Sequence, residues 1–238
     1  MKRFHLFVVL AALVLPSSTP FSLCATGEDG VALGIVYDTS GSMKEQVRDG
    51  TGRLAPKYVI ANRALESIAQ RIQVFATNPA AGVPRPVQAG LWIFAGNGAR
   101  PAIPFGPFDA ASFQSWARSF SKPQRGTPLG AAVSQAARAV LNSPLPRKHV
   151  LVITDGMSNV GPDPAGVMPG LLRQAQQQQT SLSVHFVAFD VEAKVFDGVK
   201  KLGATVVGAS DENQLNQQLE FILAKKILLE DEEPPKKQ

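Results

Sequence analysis

The sequence predicts an α/β protein in which a doubly wound, mostly parallel sheet lies between two layers of helices, a three-layer α/β/α arrangement. Apolar runs of strand length alternate along the chain with amphipathic stretches of helical length, the pattern of repeated βα units. Two runs, VALGIVY at 31–37 and HVLVITD at 149–155, are apolar on both faces, as central parallel strands are. With 238 residues and 45% hydrophobic residues, the chain is long enough for one core of about 200 residues.

The elements after the first strand are assigned from the spacing of apolar residues. A helix begins near Pro56, residues 86–95 form a second strand, and Asp109 is the N-cap of a further helix. The segment 101–108 is rich in proline and is expected to hold only a short edge strand. The residues that these two helices bury are predicted to be Ala61, Leu65, Ile68, Ile72, Phe113, Trp116 and Phe120.

A helix starts at Pro128, a residue suited to the first helical position, before the strand at 149–155. Its buried stripe comprises Leu129, Val133, Ala137, Val140 and Leu141. The elements that follow are a helix at 171–178, a strand at 183–189, a helix at 193–202, a strand at 205–207 and a last helix. Ser210 is expected to cap that last helix, and Asp190 the helix at 193–202.

The ends of the chain are expected to lie outside this fold. Residues 1–25 place two cations before an apolar run that is too short to span a bilayer of about 30 Å. A signal peptide is therefore predicted, and the mature chain is expected to be exported, periplasmic or secreted, without a transmembrane span. The alternatives are a short uncleaved anchor and lipidation at Cys24, although Leu23 stands where a lipidation motif has a small residue. The folded domain is placed at 30–225 and a polar tail at 226–238.

The charge of the chain does not indicate a nucleic-acid partner. The formal net charge of +5 falls to about +3 when the two cations of the signal peptide, Lys2 and Arg3, are removed with it. That excess is small, and the basic clusters at 122–125 and 146–149 are short.

Oxygen-bearing side chains stand where strands end and helices begin. Asp38, Ser40 and Ser42 follow the first strand, Asp155 ends the strand at 149–155, and Thr127 precedes a helix. In a doubly wound sheet, ligands bind beyond the carboxyl ends of the strands, so neighbouring strands would bring these residues together. Two carboxylates and three hydroxyls without imidazole or thiolate suit Mg²⁺, Mn²⁺ or Ca²⁺ and disfavour Zn²⁺ or Cu. Ordinary turn and cap roles are the competing interpretation.

Three motifs in this order, VYDTSGSM, GTPLG and ITDG, resemble the metal-ion-dependent adhesion site (MIDAS) of von Willebrand factor A (vWA) domains, whose sheet is doubly wound. The resemblance covers about residues 30–225. It implies that Ser40 and Ser42 bind Mg²⁺ or a similar cation directly, and that Thr127 does so when a ligand is engaged. It also implies that Asp38 and Asp155 act through bridging waters. An acidic side chain of a protein partner would then complete the octahedron.

These observations favour a binding module with an adhesion or assembly role over an enzyme. The alternative is a metal-dependent phosphoester hydrolase at the same site, which needs a general base near the cation. Asp38 is a possible base, but no His or second acidic cluster is expected beside it. His149 and His185 fall within strands and are expected to be structural. The identity of the partner and the oligomeric state stay open.

Overall fold

The computed structural model describes residues 30–77, 85–95, 97–124 and 126–228. The strands in chain order are β1 (Val31–Tyr37), β2 (Gln46–Arg48), β3 (Leu54–Pro56), β4 (Val87–Ala95), β5 (Gly98–Pro107), β6 (Arg147–Thr154), β7 (Leu182–Phe189) and β8 (Thr205–Ala209). The α-helices are α1 (Lys57–Thr77), α2 (Ala110–Ser119), α3 (Leu129–Leu141), α4 (Pro164–Gln177), α5 (Asp197–Lys201) and α6 (Glu212–Ile222). Short 3₁₀ helices lie at Gly41–Lys44 and Ala193–Phe196, and a π-helical turn lies at Leu223–Ile227.

Six strands form the main sheet in the order β5-β4-β1-β6-β7-β8, and only β5 runs antiparallel to its neighbour. From β1 the chain passes to β4 on one side and later to β6 on the other, so the winding reverses at β1. Tyr37, the last residue of β1, pairs with Ile93 of β4 and Ile153 of β6. The prediction that the first strand and the strand ending near Asp155 are neighbours is confirmed, and the ligand crevice of such a sheet lies at their carboxyl ends.

The two faces of the sheet are covered by different helices. In β1, Leu33, Ile35 and Tyr37 pack with α1, α2 and α6, while Ala32 and Val36 pack with α3 and α4 on the other face. Every residue of β1 is buried. Each fully buried aliphatic or aromatic side chain stabilises the fold by about 1.5–3 kcal/mol relative to an exposed one. The predicted three-layer architecture is therefore observed, with β1 at its centre.

The edge strand β5 corrects the prediction for the proline-rich segment. It extends over ten residues, Gly98–Pro107, rather than forming a short strand within 101–108. Proline is tolerated in an edge strand because its missing N–H group faces solvent rather than a partner strand. The pairing with β4 is also irregular, with register shifts on both sides of Leu91, which accommodates residues that cannot donate to the ladder.

Helix starts account for most of the remaining differences. Helix α4 begins at Pro164, well before residue 171, because the Asp163 side chain accepts a hydrogen bond from the backbone of Ala165. The cap of α6 is Asp211 rather than Ser210, since the Asp211 carboxylate accepts from the backbone of Gln214 at 2.8 Å. The helix expected at 193–202 is divided into a 3₁₀ turn and α5.

Both ends of the described fold lie at the amino-terminal edge of the sheet. The backbone N–H of Arg147, at the start of β6, donates to the carbonyl of Gly30, and its guanidinium donates to the carbonyl of Leu228. Ile227 and Leu228 are buried, so the folded part continues past residue 225. The predicted signal peptide at 1–25 and the residues from 229 onward lie outside the described residues. Within the ranges that the structure describes, no helix has the length and apolar character needed to cross a membrane.

Candidate functional site

Asp38 directly follows β1 and is fully buried. One carboxylate oxygen accepts a hydrogen bond from the backbone N–H of Ser40 at 2.7 Å, and the other accepts from the Thr154 hydroxyl at 2.6 Å. Burial, and after it the nearby charge of Asp155, raise the pKa of Asp38 from 3.8 to about 6, although these hydrogen bonds lower it. The carboxylate is therefore fixed in position but is costly to keep charged in this environment.

The two serines and Asp155 form a continuous chain of oxygens. Ser42 lies in the 3₁₀ helix Gly41–Lys44, which turns the chain back over the end of β1. The hydroxyl oxygens of Ser40 and Ser42 are 3.0 Å apart, and the Ser42 hydroxyl donates to Asp155 Oδ1 at 2.8 Å. Asp155 follows β6, so the parallel pairing of β1 with β6 brings these residues together. The structure thus brings four of the five candidate residues, including Asp38, to one place.

Thr127 is buried and lies against the loop that follows β6. Its backbone N–H donates to the side chain of Asn159 at 2.7 Å, and its carbonyl accepts from the Ser158 hydroxyl and from the Asn159 backbone. Because Asp155 starts this same loop, Thr127 is tied to the segment that carries Asp155. These hydrogen bonds fix the backbone of Thr127 at the carboxyl-terminal edge of the sheet.

Gly130 allows this loop to approach helix α3 closely. A Cβ atom at position 130 would lie 2.1 Å from the carbonyl oxygen of Pro162 and 2.9 Å from its carbonyl carbon. No side chain fits at that distance from a backbone group, so the sequence TPLG requires its glycine for packing. The close contact holds the loop after β6 against the start of the helix that follows Thr127.

Lys57 is a buried cation beside this group. Its ammonium lies 2.8 Å from Glu45, 2.9 Å from Asp190 and 3.2 Å from Asp155 Oδ2. Burial alone would lower the pKa of Lys57, but the hydrogen bonds to Glu45 and Asp190 and the charge of Asp155 outweigh it, so the pKa is raised. The prediction that Asp190 caps a helix is therefore wrong. Asp190 has a positive φ of 54° and pairs with Lys57.

Several residues of this region were not predicted. Lys57 could have been found from the sequence, because it stands four residues before Ala61 on the apolar stripe of α1, where a charge needs a partner. Thr154 and Asn159 gave no comparable signal, since Thr and Asn are common wherever a strand ends in a turn. Thr39 also gave no such signal, although its hydroxyl accepts a hydrogen bond from the Phe94 N–H at 3.1 Å and joins the first motif to β4.

Comparison with known proteins identifies a family. The family model described as "von Willebrand factor type A domain" matches residues 33–220. Among solved structures, the PilB minor pilin from Streptococcus sanguinis is 14% identical, with a TM-score of 0.60 over 84% of this chain and 62% of the pilin. The vWF domain of the type V pili tip protein Mfa5 from Porphyromonas gingivalis is 14% identical, with a TM-score of 0.57 over 83% of this chain and 95% of that domain.

A third similar structure is proximal thread matrix protein 1 from the mussel byssus, described with a zinc-occupied MIDAS motif. It is 16% identical, with a TM-score of 0.60 over 82% of this chain and 48% of the mussel protein. This chain thus spans about half of the mussel protein and under two thirds of the pilin. At these identities the likeness establishes the fold. No match was found among curated protein sequences.

Proposed function

Because this chain belongs to the von Willebrand factor type A domain family, we propose that it is an exported module that binds a protein partner through a divalent cation. Most members of this family are binding and adhesion modules rather than enzymes. Ser40, Ser42 and Thr127 hold the cation through their hydroxyl oxygens, while Asp38 and Asp155 hold water molecules around it. The cation would supply an electrophilic coordination position for an acidic side chain of the partner.

The observation that carries this proposal is the spacing of the oxygens. Neighbouring ligands of an octahedral Mg²⁺ ion, each about 2.1 Å from the metal, are about 3.0 Å apart along an octahedron edge. The Ser40 and Ser42 hydroxyls are 3.0 Å apart, which matches such an edge, and Asp155 Oδ1 lies 2.8 Å from the Ser42 hydroxyl, close enough to hold a water molecule of the same cation. Carboxylate and hydroxyl oxygens are also the ligands that hard cations prefer. The residues present therefore fit a cation of this kind.

The electrostatics of the site support the same proposal. Asp38 and Asp155 are both buried, and burial together with the nearby charge of Asp155 raises the pKa of Asp38. Lys57 neutralises part of this charge, but its ammonium contacts Asp155 Oδ2, on the side away from the oxygen bound to Ser42. A cation near the serine hydroxyls would relieve the remaining repulsion between the two carboxylates.

The hydrolase alternative is disfavoured because two candidate bases at the site, Asp38 and Lys57, are already engaged. Both carboxylate oxygens of Asp38 accept hydrogen bonds, from Ser40 and Thr154. The Lys57 ammonium is engaged by three carboxylates. A general base must reach the proton that it abstracts, and neither group is positioned to do so. Binding is therefore the function that the site supports best.

The site is tested by titrating the chelator-treated protein with Mg²⁺, Mn²⁺, Ca²⁺ and Zn²⁺ in separate calorimetric experiments. Zinc is included because the mussel protein holds it in the corresponding motif. At a concentration of 100 times Kd, a bound cation stabilises the fold by about 2.7 kcal/mol, or about 5–10 °C in Tm for a domain of this size. Ser40→Ala should abolish this shift, whereas Ser181→Ala, at an exposed position before β7, should retain it. Equal shifts in both variants would refute the site.

The binding role is tested by recovering protein partners from the exporting cell, with and without chelator. Wild-type protein should retain partners only when the cation is present, and Ser40→Ala should retain none of them. Recovery of the same partners from chelator-treated wild-type protein would contradict the proposed role of the cation. The pilin, the pilus tip protein and the byssus protein are named as parts of extracellular structures, which supports an exported location.

A further inference from the structure

A cleft of about 680 Å³ adjoins the candidate metal site. It lies between the carboxyl-terminal end of β4, the start of β5 and the end of α2, and Thr39 forms part of its wall. Because Thr39 stands between Asp38 and Ser40, the cleft begins within one residue, about 3.8 Å along the chain, of the proposed cation ligands. The volume lies within the range of about 300–1,000 Å³ that is usual for binding pockets.

One wall of the cleft is aromatic and held rigidly. Trp116 and Phe120 stack with ring centroids 5.0 Å apart and an interplanar angle of 11°. Tyr37, beneath them, packs edge-on against both rings at 5.1 and 5.7 Å. The neighbouring backbone is fixed as well, because the Gln124 N–H donates to the carbonyl of Thr39 at 2.7 Å. An apolar side chain that enters this cleft therefore meets a preformed surface and requires little ordering of the protein.

The rim of the cleft carries positive charge. Arg100 and Lys122 are exposed and line the cleft, whereas none of its lining residues is Asp or Glu. Within the described ranges, neither cation has a carboxylate partner. By contrast, Arg118, which directly precedes the lining residue Ser119, is paired with Glu66 at 2.9 Å. Two unpaired cations beside a site for an acidic side chain favour an acidic partner segment.

We infer that this cleft selects the partner of the proposed cation site, and that the occupant is an acidic segment of a protein with an aromatic side chain near its metal-binding carboxylate. This inference rests on the proposed function. An extended chain advances about 3.3 Å per residue, so an aromatic residue two to four positions from the carboxylate reaches the cleft. A further acidic residue beyond it meets Arg100 and Lys122.

The inference is tested with short labelled peptides and the full chain in Mg²⁺, by fluorescence anisotropy. The reference peptide has one aspartate, a tryptophan about three residues later, which spans about 10 Å, and a glutamate pair after it. Two matched peptides replace the tryptophan by serine or the glutamates by glutamine. The protein variants are Arg100→Glu and Lys122→Glu, and the control is Lys200→Glu, an exposed lysine of α5 beside the opposite edge strand β8.

We expect each charge reversal at the cleft to weaken binding about fivefold, and both together about 20-fold or more, because attraction becomes repulsion. Removing the tryptophan should weaken binding about tenfold through lost apolar burial, and raising the salt concentration should reduce the effect of the glutamates. Lys200→Glu should change little. If peptide binding requires the metal but its affinity is unchanged by the charge reversals and by loss of the tryptophan, this inference is wrong, while the proposed function is not contradicted. Peptide binding that is unchanged by chelator would instead contradict the proposed function.

Discussion

Replacing Lys57 by methionine removes one buried positive charge and keeps a side chain of similar length. The Lys57 side chain is 3% exposed, and its three carboxylate partners differ widely in exposure, with Glu45 at 66%, Asp190 at 39% and Asp155 at 0%. The two exposed carboxylates regain water when the ammonium is lost, so each contributes at most about 1 kcal/mol. Asp155 is left buried with an uncompensated charge. Breaking such a pair costs about 3–5 kcal/mol.

We therefore expect Lys57→Met to lower the free energy of unfolding by about 3 kcal/mol in chelator, with cation affinity changing in the opposite direction. The variant site is more negative, so the divalent cation should bind about tenfold more tightly, which corresponds to about 1.4 kcal/mol. Urea unfolding in chelator and in saturating Mg²⁺ measures the first effect, and calorimetry measures the second. Addition of the cation should therefore recover part of the lost stability.

The matched control is Lys194→Met. Lys194 pairs with Glu192, but both side chains are largely exposed, and such surface pairs contribute about 0–1 kcal/mol. A double-mutant cycle with Asp155→Asn separates the pair from other effects, because the combined loss in chelator should be smaller than the sum of the single losses. If Lys57→Met resembles the control in stability and leaves the cation affinity unchanged, the reasoning about Lys57 is wrong.

Three further predictions concern other buried groups. A His149 ring nitrogen lies 3.2 Å from one of His185. Burial lowers the pKa of His149 to about 3, and the charges of His185 and Arg147 add to this effect. Burial likewise lowers the pKa of His185 to about 4, with a further contribution from the charge of Lys226. The free energy of unfolding should fall by about 2–4 kcal/mol between pH 7 and pH 5, because the unfolded histidines bind protons below pH 6.5 and the folded ones do so only near pH 4 or below. Urea unfolding that is equally pH-dependent in the H149Q/H185Q variant would contradict this. Asp38→Asn should stabilise the chelator-treated protein at pH 7 by about 1–3 kcal/mol, since the raised pKa of Asp38 reflects a destabilising charge. The same variant should lose the thermal shift with Mg²⁺. A loss of stability in chelator would refute the argument about the Asp38 charge. Gly130→Ala should lower the free energy of unfolding by about 1–3 kcal/mol, because the new Cβ clashes with Pro162. The control Gly166→Ala in α4, where the space is open, should stabilise the fold slightly. Equal denaturation midpoints for the two variants would contradict the packing role of Gly130.

The central strands could be predicted because their burial is visible in their composition. Residues 31–37 and 149–155 are apolar on both faces, a pattern that, at this length and between turn residues, is typical of a strand covered on both sides. The long edge strand β5 could not be predicted in this way, since its three prolines argue against a strand everywhere except at an edge. The short hairpin of β2 and β3 buries only Val47, which leaves no periodic apolar signal.

The candidate site was predictable where it depends on strand order. Asp38 and Asp155 follow paired strands, so their convergence follows from the doubly wound fold. The contacts of Lys57 depend on distances that no local pattern contains, because its partners Glu45, Asp155 and Asp190 come from three different loops. A lysine on the apolar stripe of a helix nevertheless indicates a buried partner, and this signal is usable in other sequences.

The two ends of the described fold, Gly30 and Leu228, lie far from the candidate site. Gly30 and Leu228 both contact Arg147 at the amino-terminal edge of the sheet, whereas Ser40, Ser42 and Asp155 lie at the other edge, about 23 Å away along the seven residues of β1. The described fold therefore begins and ends at the edge of the sheet opposite the candidate cation ligands. With Gly30 and Leu228 at the opposite edge, neither end of the described fold covers the candidate site.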